Sequence, residues 1–198
     1  MRKPSRCRSK RPTVIDRKYF SLDCFSCSEL ITFYYRPGND IKFLTEMPSG
    51  IKVFVDRGVD AGFLRANLAD LNKFSSVLTE IGKVFDLPAG VTHIYYDENG
   101  QTIAFNLDGS LFFNFRYYRE LHAQGKLTDA LVYWFVVACH ELGHNIIKDH
   151  SSDHSFYTES FVQMYFPAIM EKVVNAQGGT LQPPPSYNPS PSPSPLKN

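Results

Sequence analysis

The chain has few cysteines, no long apolar run and almost no net charge; the first two absences exclude classes of protein, and the third by itself predicts no particular partner. Four cysteines in 198 residues are too few and too scattered for a disulfide framework. This favours a reducing compartment, the cytosol or the nucleus. No apolar run reaches the roughly eighteen residues of a transmembrane helix, and the N-terminus lacks the apolar core of a secretory signal. We therefore expect no contact with a membrane.

Charge is unevenly distributed along the chain. Residues 1–18 contain eight Lys or Arg and a single acid, Asp16, so this segment carries a net charge of +7. Because the whole chain carries +1, the remainder carries −6. Such a basic arm can contact nucleic acid or act as a nuclear signal. A solvated tail is the simpler interpretation, since no aromatic residues are interleaved with the charges of "RSKRP".

Three regions follow from composition and periodicity. Residues 1–40 show no sustained periodicity, and we predict an irregular basic arm. Residues 177–198 are rich in Pro and Ser, cannot bury enough apolar surface to offset their ordering entropy, and are predicted to be disordered. Residues 41–176 remain as one folded domain, which is long enough to build a full core.

Three segments of this domain predict helices. In residues 62–88, apolar side chains recur every three or four positions, which indicates an amphipathic helix. A second helix is predicted over residues 127–147; its stretch from Leu131 to Cys139 is apolar on all faces, so this helix is predicted to be central and buried. A last helix is predicted over residues 157–174.

Four segments predict β-strands, namely 50–56, 91–97, 101–107 and 110–118. The dipeptides Asn99-Gly100 and Asp108-Gly109 separate the last three strands, and both residue pairs tolerate the positive φ angles of tight hairpin turns. We therefore predict an antiparallel meander. Together with the helices, it makes an α+β fold with a small mixed or antiparallel sheet.

The sequence "HELGH" at residues 140–144 is an HExxH motif on the second predicted helix. Residues four apart lie on the same face of a helix, so His140 and His144 can bind one Zn²⁺ together. Glu141 points to one side, where it can take a proton from a water molecule at the metal. A buried helix that happens to end in two histidines is the alternative interpretation.

The third metal ligand has three candidates. His150 lies six residues after His144 and gives the spacing HExxH-x5-H, which we favour. His154 and Glu159 are alternatives further along the chain. If either of them binds in addition to His150, the site becomes four-coordinate and closed, which is typical of structural zinc.

Longer stretches resemble a known class of metallopeptidase. The HExxH-x5-H spacing is that of metzincins and of WLM-type metalloproteases. Asn145 resembles the "HELxHN" of the WLM-type group, whereas Ile147 stands where metzincins carry glycine. The segments "IYYDENGQTIAFNLDGSLFFNFRYY" and "YWFVVACHELGHNIIKDHSSDHSFYTESF" are similar to a zincin-like module at the C-terminal end of large sacsin-like and NO VEIN-like multidomain proteins.

This resemblance covers about residues 60–175, and both His150 and His154 fall on the two downstream histidines of that module. It implies a zincin-like fold, with a helix packed on the sheet, a central HExxH helix and a C-terminal helix. It also implies a zinc peptidase, and it implies no particular substrate. Zincins hold a substrate backbone against an edge strand beside the active helix, a role that "TIAFN" or "LFFNF" can fill.

The sequence therefore predicts a zinc-dependent peptidase acting on a peptide or protein. His140, His144 and His150 bind Zn²⁺, and Glu141 is the general base. The alternative is a non-catalytic, zinc-stabilised protein-interaction module of a larger multidomain system. The presence of Glu141 favours catalysis, because a structural site needs no base.

Overall fold

The computed structural model describes residues 41–60 and 62–178. The predicted basic arm (1–40) and almost all of the predicted tail (177–198) lie outside these residues. The described part contains five strands and four helices in this order: β1 (Ile41–Glu46), β2 (Lys52–Asp56), α1 (Phe63–Phe85), β3 (Thr92–Tyr96), β4 (Ala104–Leu107), β5 (Ser110–Asn114), α2 (Phe115–Leu121), α3 (Leu127–Gly143) and α4 (Ser152–Ala176).

The five strands form one mixed sheet in the order β1-β2-β3-β5-β4. The two outer pairs, β1 with β2 and β4 with β5, are antiparallel. The two inner pairs, β2 with β3 and β3 with β5, are parallel. A mixed sheet with several helices is the predicted α+β class, and β1 is an addition to the predicted strands.

The predicted antiparallel meander is wrong, because β3 and β4 are not neighbours. At the end of β3 the Asp97 carboxylate accepts hydrogen bonds from the backbone N–H groups of Asn99 and Gly100, at 3.1 and 2.7 Å. This side-chain turn replaces the expected hairpin. The chain then passes beyond β5 and forms β4 at the edge of the sheet.

The second turn signal is confirmed. Asp108 and Gly109 have φ angles of 46° and 86°, and Leu107 pairs with Ser110 across the turn. Two consecutive residues with positive φ make the tight hairpin turn that suits twisted strands. This hairpin holds β4 against β5 and leaves the other side of β4 as an edge of the sheet.

The predicted strand 110–118 ends early, at Asn114. The side-chain oxygen of Asn114 accepts a hydrogen bond from the N–H of Arg116 at 3.0 Å, which is helix capping. The cap starts α2, so Phe115 and Tyr118 enter the core from a helix instead of a strand.

Helical and strand side chains share one large core. α1 confirms the amphipathic helix predicted over residues 62–88 and buries its periodic apolar face. Trp134, Phe74 and Phe113 are among the fully buried residues of this core. The opposite side of the sheet carries a smaller cluster, built around Phe54, Tyr95 and Phe112.

The central helix α3 is less enclosed than predicted. Val132 and Val136 are 39% and 46% exposed, because α3 packs against α1, α4 and the sheet and leaves one stripe free. The prediction of burial on all faces is therefore wrong. α3 also ends at Gly143, four residues before the predicted end, and α4 begins at Ser152, five residues before its predicted start. Within the described ranges, none of the helices has the length and apolarity that crossing a membrane requires.

The buried histidine on β3 predicts a loss of stability in acid. Burial first, and the charge of Lys52 second, lower the pKa of His93 from 6.5 to about 4. Between these two pH values, His93 binds more protons in the unfolded chain than in the folded protein. The contribution of neutral His93 to the free energy of unfolding is therefore fully present above pH 6.5 and is lost as the pH decreases towards 4. This single group accounts for a loss on the order of 3 kcal/mol.

We expect the free energy of unfolding of His93→Phe to depend less on pH between pH 6.5 and pH 4 than that of the wild type. Phe fills a similar volume beside Phe54 and Phe112 and cannot titrate. The measurement is the free energy of unfolding in urea at several pH values for both proteins. Parallel curves from pH 7 to pH 4 would contradict the assignment.

Candidate metal centre

The C-terminal end of α3 carries the HExxH motif. His140 lies in the last turn of the helix and His144 immediately follows Gly143, the last helical residue. Their imidazole centroids are 5.0 Å apart. The four-residue spacing therefore brings the two rings together as predicted.

His150 joins them from the loop between α3 and α4. Its Nε2 lies 3.1 Å from Nε2 of His140, and its ring centroid lies 4.7 Å from that of His144. One nitrogen from each of the three residues can be chosen so that all lie within 4.8 Å of one another. These three histidines thus lie close enough to bind one metal ion.

The donor set fits a zinc ion. Two nitrogens bound to tetrahedral zinc at about 2.0–2.1 Å lie about 3.3 Å from each other, close to the separation between His140 and His150. Nδ1 of His144 lies 3.2 Å from the carbonyl oxygen of Ile147. Donation of that N–H leaves Nε2 with its lone pair, the arrangement typical of metal-binding imidazoles.

The protonation state of His140 also suits a ligand. Burial, followed by repulsion from His154, His144 and His150, lowers the pKa of His140 to about 4. His140 is therefore neutral at pH 7, and it need not lose a proton before it binds a metal.

His154, the second candidate for the third ligand, is placed differently. It lies in the first turn of α4, where its own N–H is capped by Ser151. Its Nε2 lies 3.2 Å from the backbone carbonyl oxygen of His140, and the side chain is buried. Its ring centroid is only 4.1 Å from that of His144, but its Nε2 is already hydrogen-bonded to the carbonyl oxygen of His140.

Glu159, the remaining candidate, is exposed on α4. It is not part of the metal-sized group found among the described residues. Of the three candidates for the third ligand, His150 is therefore the one that completes this group.

Glu141 lies inside the protein beside this group. Only 4% of its surface is exposed, and its Oε2 is buried without a hydrogen-bond partner in the described part of the chain. Burial raises the pKa of Glu141 to about 7. A carboxylate with these properties can exchange a proton near neutral pH.

A groove of about 860 Å³ runs between the histidines and the edge strand β4. One wall is β4 with its hairpin turn. The other wall is the end of α3 and the following loop. The side chains that carry chemistry in this second wall are His140, Glu141, His144, Asn145, Lys148 and His150.

Comparison of the chain with protein families, with curated proteins and with solved structures finds no match. The fold and the site therefore define the protein only as an α+β domain with a three-histidine group of metal-binding size.

Two residues of the site carry no recognisable signal in the sequence. Asn106 precedes the hairpin turn and reads as an ordinary turn residue, yet its amide reaches the end of α3. Gly143 is one of the variable positions of HExxH, but α4 packs directly against it. A Cβ atom at residue 143 would lie 3.0 Å from Nε2 of His154 and 3.2 Å from Oγ1 of Thr158.

We expect Gly143→Ala to destabilise the protein by about 1–3 kcal/mol, the usual cost of overpacking. The matched control is Gly82→Ala in α1, where an added Cβ meets nothing within 4 Å. That change should stabilise the protein by about 0.5–1 kcal/mol, because alanine loses less backbone entropy in a helix. Urea unfolding measures both effects. Two changes of the same sign would contradict the close packing of α4 on α3.

Proposed function

We propose that this domain is a zincin-like, zinc-dependent peptidase that hydrolyses peptide bonds. The observation that carries the proposal is the meeting of three imidazoles with one buried carboxylate along an open strand edge. His140, His144 and His150 are the ligands, and Glu141 is the general base. Three protein ligands leave one position of a tetrahedral ion for water or substrate, as in catalytic zinc sites.

A bound zinc ion in such a site lowers the pKa of a coordinated water and polarises a substrate carbonyl. Glu141 supplies the other requirement, a base next to the attacking water. Its buried Oε2, which has no partner among the described residues, can take the proton from that water. Glu141 can then pass the same proton to the leaving amine.

Substrate binding is proposed along β4, which overlaps the "TIAFN" segment at residues 104–106. The other segment, "LFFNF", lies mostly in β5, which is an inner strand. β4 is the last strand in the sheet order and also lines the groove. An extended peptide that pairs with this edge would lie beside His140 and Glu141. Pairing through main-chain hydrogen bonds gives affinity with little sequence preference.

One observation favours the alternative, a non-catalytic zinc-stabilised interaction module. The ring of His154 lies among the three proposed ligands, with its centroid 4.1 Å from that of His144 and 4.6 Å from that of His140. A rotation of His154 away from the His140 carbonyl would provide a fourth nitrogen. The site would then be closed to water and structural in type.

The ligand assignment predicts different effects for two histidine variants. His150→Ala should weaken zinc binding more than about 100-fold, because it removes a ligand. His154→Ala should weaken binding by about 10–100-fold, the usual effect of an outer-shell partner. The measurement is competition for zinc with a chromophoric chelator, together with elemental analysis, which should find about one zinc per chain of the wild type.

The reverse order of the two effects would assign the third ligand to His154. Wild-type protein purified without chelator and found to contain no zinc would contradict the metal centre itself.

The base assignment predicts that Glu141→Gln keeps zinc and the fold but loses hydrolysis. Glutamine has nearly the same shape, so packing and zinc content should be unchanged. Its amide cannot accept a proton at neutral pH, and general-base catalysis contributes about 10²–10⁴-fold. The rate on a mixed peptide library should fall by at least this factor.

Equal rates for Glu141→Gln and the wild type would exclude Glu141 as the base. A wild-type protein that carries zinc and cleaves no member of the library would support the interaction module instead.

A further inference from the structure

The side chain of Asn106 connects β4 to the end of α3. Its Nδ2 donates one hydrogen bond to the backbone carbonyl of Glu141 and another to Oδ1 of Asn145, both at 2.8 Å. Its Oδ1 accepts a third from the N–H of Gly109 at 3.0 Å. Two oxygens facing Nδ2 and an N–H facing Oδ1 also establish the orientation of this amide.

The position of Asn106 in β4 explains this reach. Alternate residues of a strand point to opposite sides of the sheet. Ala104 belongs to the main core with the helices, whereas Phe105 and Leu107 pack with the cluster on the other side. Asn106 therefore lies on the same side as Ala104, towards α3.

The partner of Asn106 on α3 is a carbonyl of the last helical turn. Such carbonyls have no N–H donor partner within the helix itself. The Glu141 carbonyl also receives the N–H of His144 at 3.2 Å, which tightens the turn that carries the second motif histidine. One backbone oxygen therefore joins the strand, the base residue and the turn of His144.

We propose that Asn106 is a positioning residue that fastens the edge strand β4 to the metal-binding end of α3. The fastening sets the distance between a peptide paired with β4 and the groups of Glu141 and His140. This consequence for catalysis rests on the proposed peptidase function, whereas the fastening itself does not.

Asparagine is the side chain that this position requires. Aspartate would keep the acceptor for Gly109 but would lose both donors, and its charge would repel the backbone carbonyl of Glu141. The exposed Asn145 can turn its amide and present its NH₂ group, so the bond that is lost outright is the one to Glu141. The variant Asn106→Asp therefore separates the two tasks. It retains the hairpin-turn bond to Gly109 and removes the connection to α3.

Hydrogen exchange in the full chain tests the fastening. In Asn106→Asp, the hydrogen-bonded backbone amides among residues 104–107 and 144–147 should exchange at least about 10-fold faster than in the wild type, because local opening becomes easier. The control is Asn99→Asp, the same chemical change at an exposed position; its exchange should match the wild type. Unchanged exchange in Asn106→Asp would overturn the proposal, whatever the activity.

The kinetic constants for a cleaved peptide test the positioning role. A strand held at the wrong distance should raise KM about 10-fold and lower kcat/KM by about 10–100-fold, since small misplacements of a substrate are costly. A smaller folded fraction alone would lower kcat and leave KM unchanged. Asn145→Ala, which removes one of the two acceptors, should give an intermediate effect.

The outcomes separate the two proposals. Faster exchange with unchanged KM would overturn the positioning role of Asn106. A wild type without any hydrolysis would contradict the peptidase proposal alone, and the exchange rates would still confirm or overturn the fastening.

Discussion

The three-histidine group depends on the contact between the first turn of α4 and the last turn of α3. Gly143 has no side chain, so His154 can approach α3 and place its Nε2 3.2 Å from the His140 carbonyl. This contact determines where the chain must return after the motif. The loop between the two helices is short, and its path carries His150 to within 3.1 Å of His140. The third histidine of the group is therefore positioned by helix packing as much as by its own sequence.

The packing that brings the histidines together also buries the carboxylate of Glu141. Glu141 is almost fully enclosed, and burial raises its pKa to about 7. An enclosed carboxylate without a hydrogen-bond partner destabilises a fold, and functional sites are where such groups concentrate. The buried Oε2 of Glu141 is accordingly the feature that most favours the proposed peptidase over the proposed interaction module.

Local signals in the sequence predict local structure well here. The periodicity of residues 62–88 predicts α1 closely, and the spacing of His140, His144 and His150 predicts the three-histidine group. Strand order escapes prediction, because the Asp97 carboxylate converts the Asn99-Gly100 signal into a turn without a hairpin. α2 escapes for a similar reason, since a single side-chain cap from Asn114 ends a segment with strong β propensity. Both errors come from side-chain hydrogen bonds, accepted by Asp97 and by Asn114, that turn and strand propensities do not reveal.

The short length of β4 has a consequence for self-association. An open strand edge can pair with an edge of another copy as readily as with a peptide. β4 has only four residues, and half of their backbone groups already face β5 in an antiparallel pair. Few hydrogen bonds are left for a stray strand, which limits aggregation through this edge. The same limit leaves few main-chain hydrogen bonds for a bound peptide, so firm binding in the groove also needs contacts with the side chains that line it.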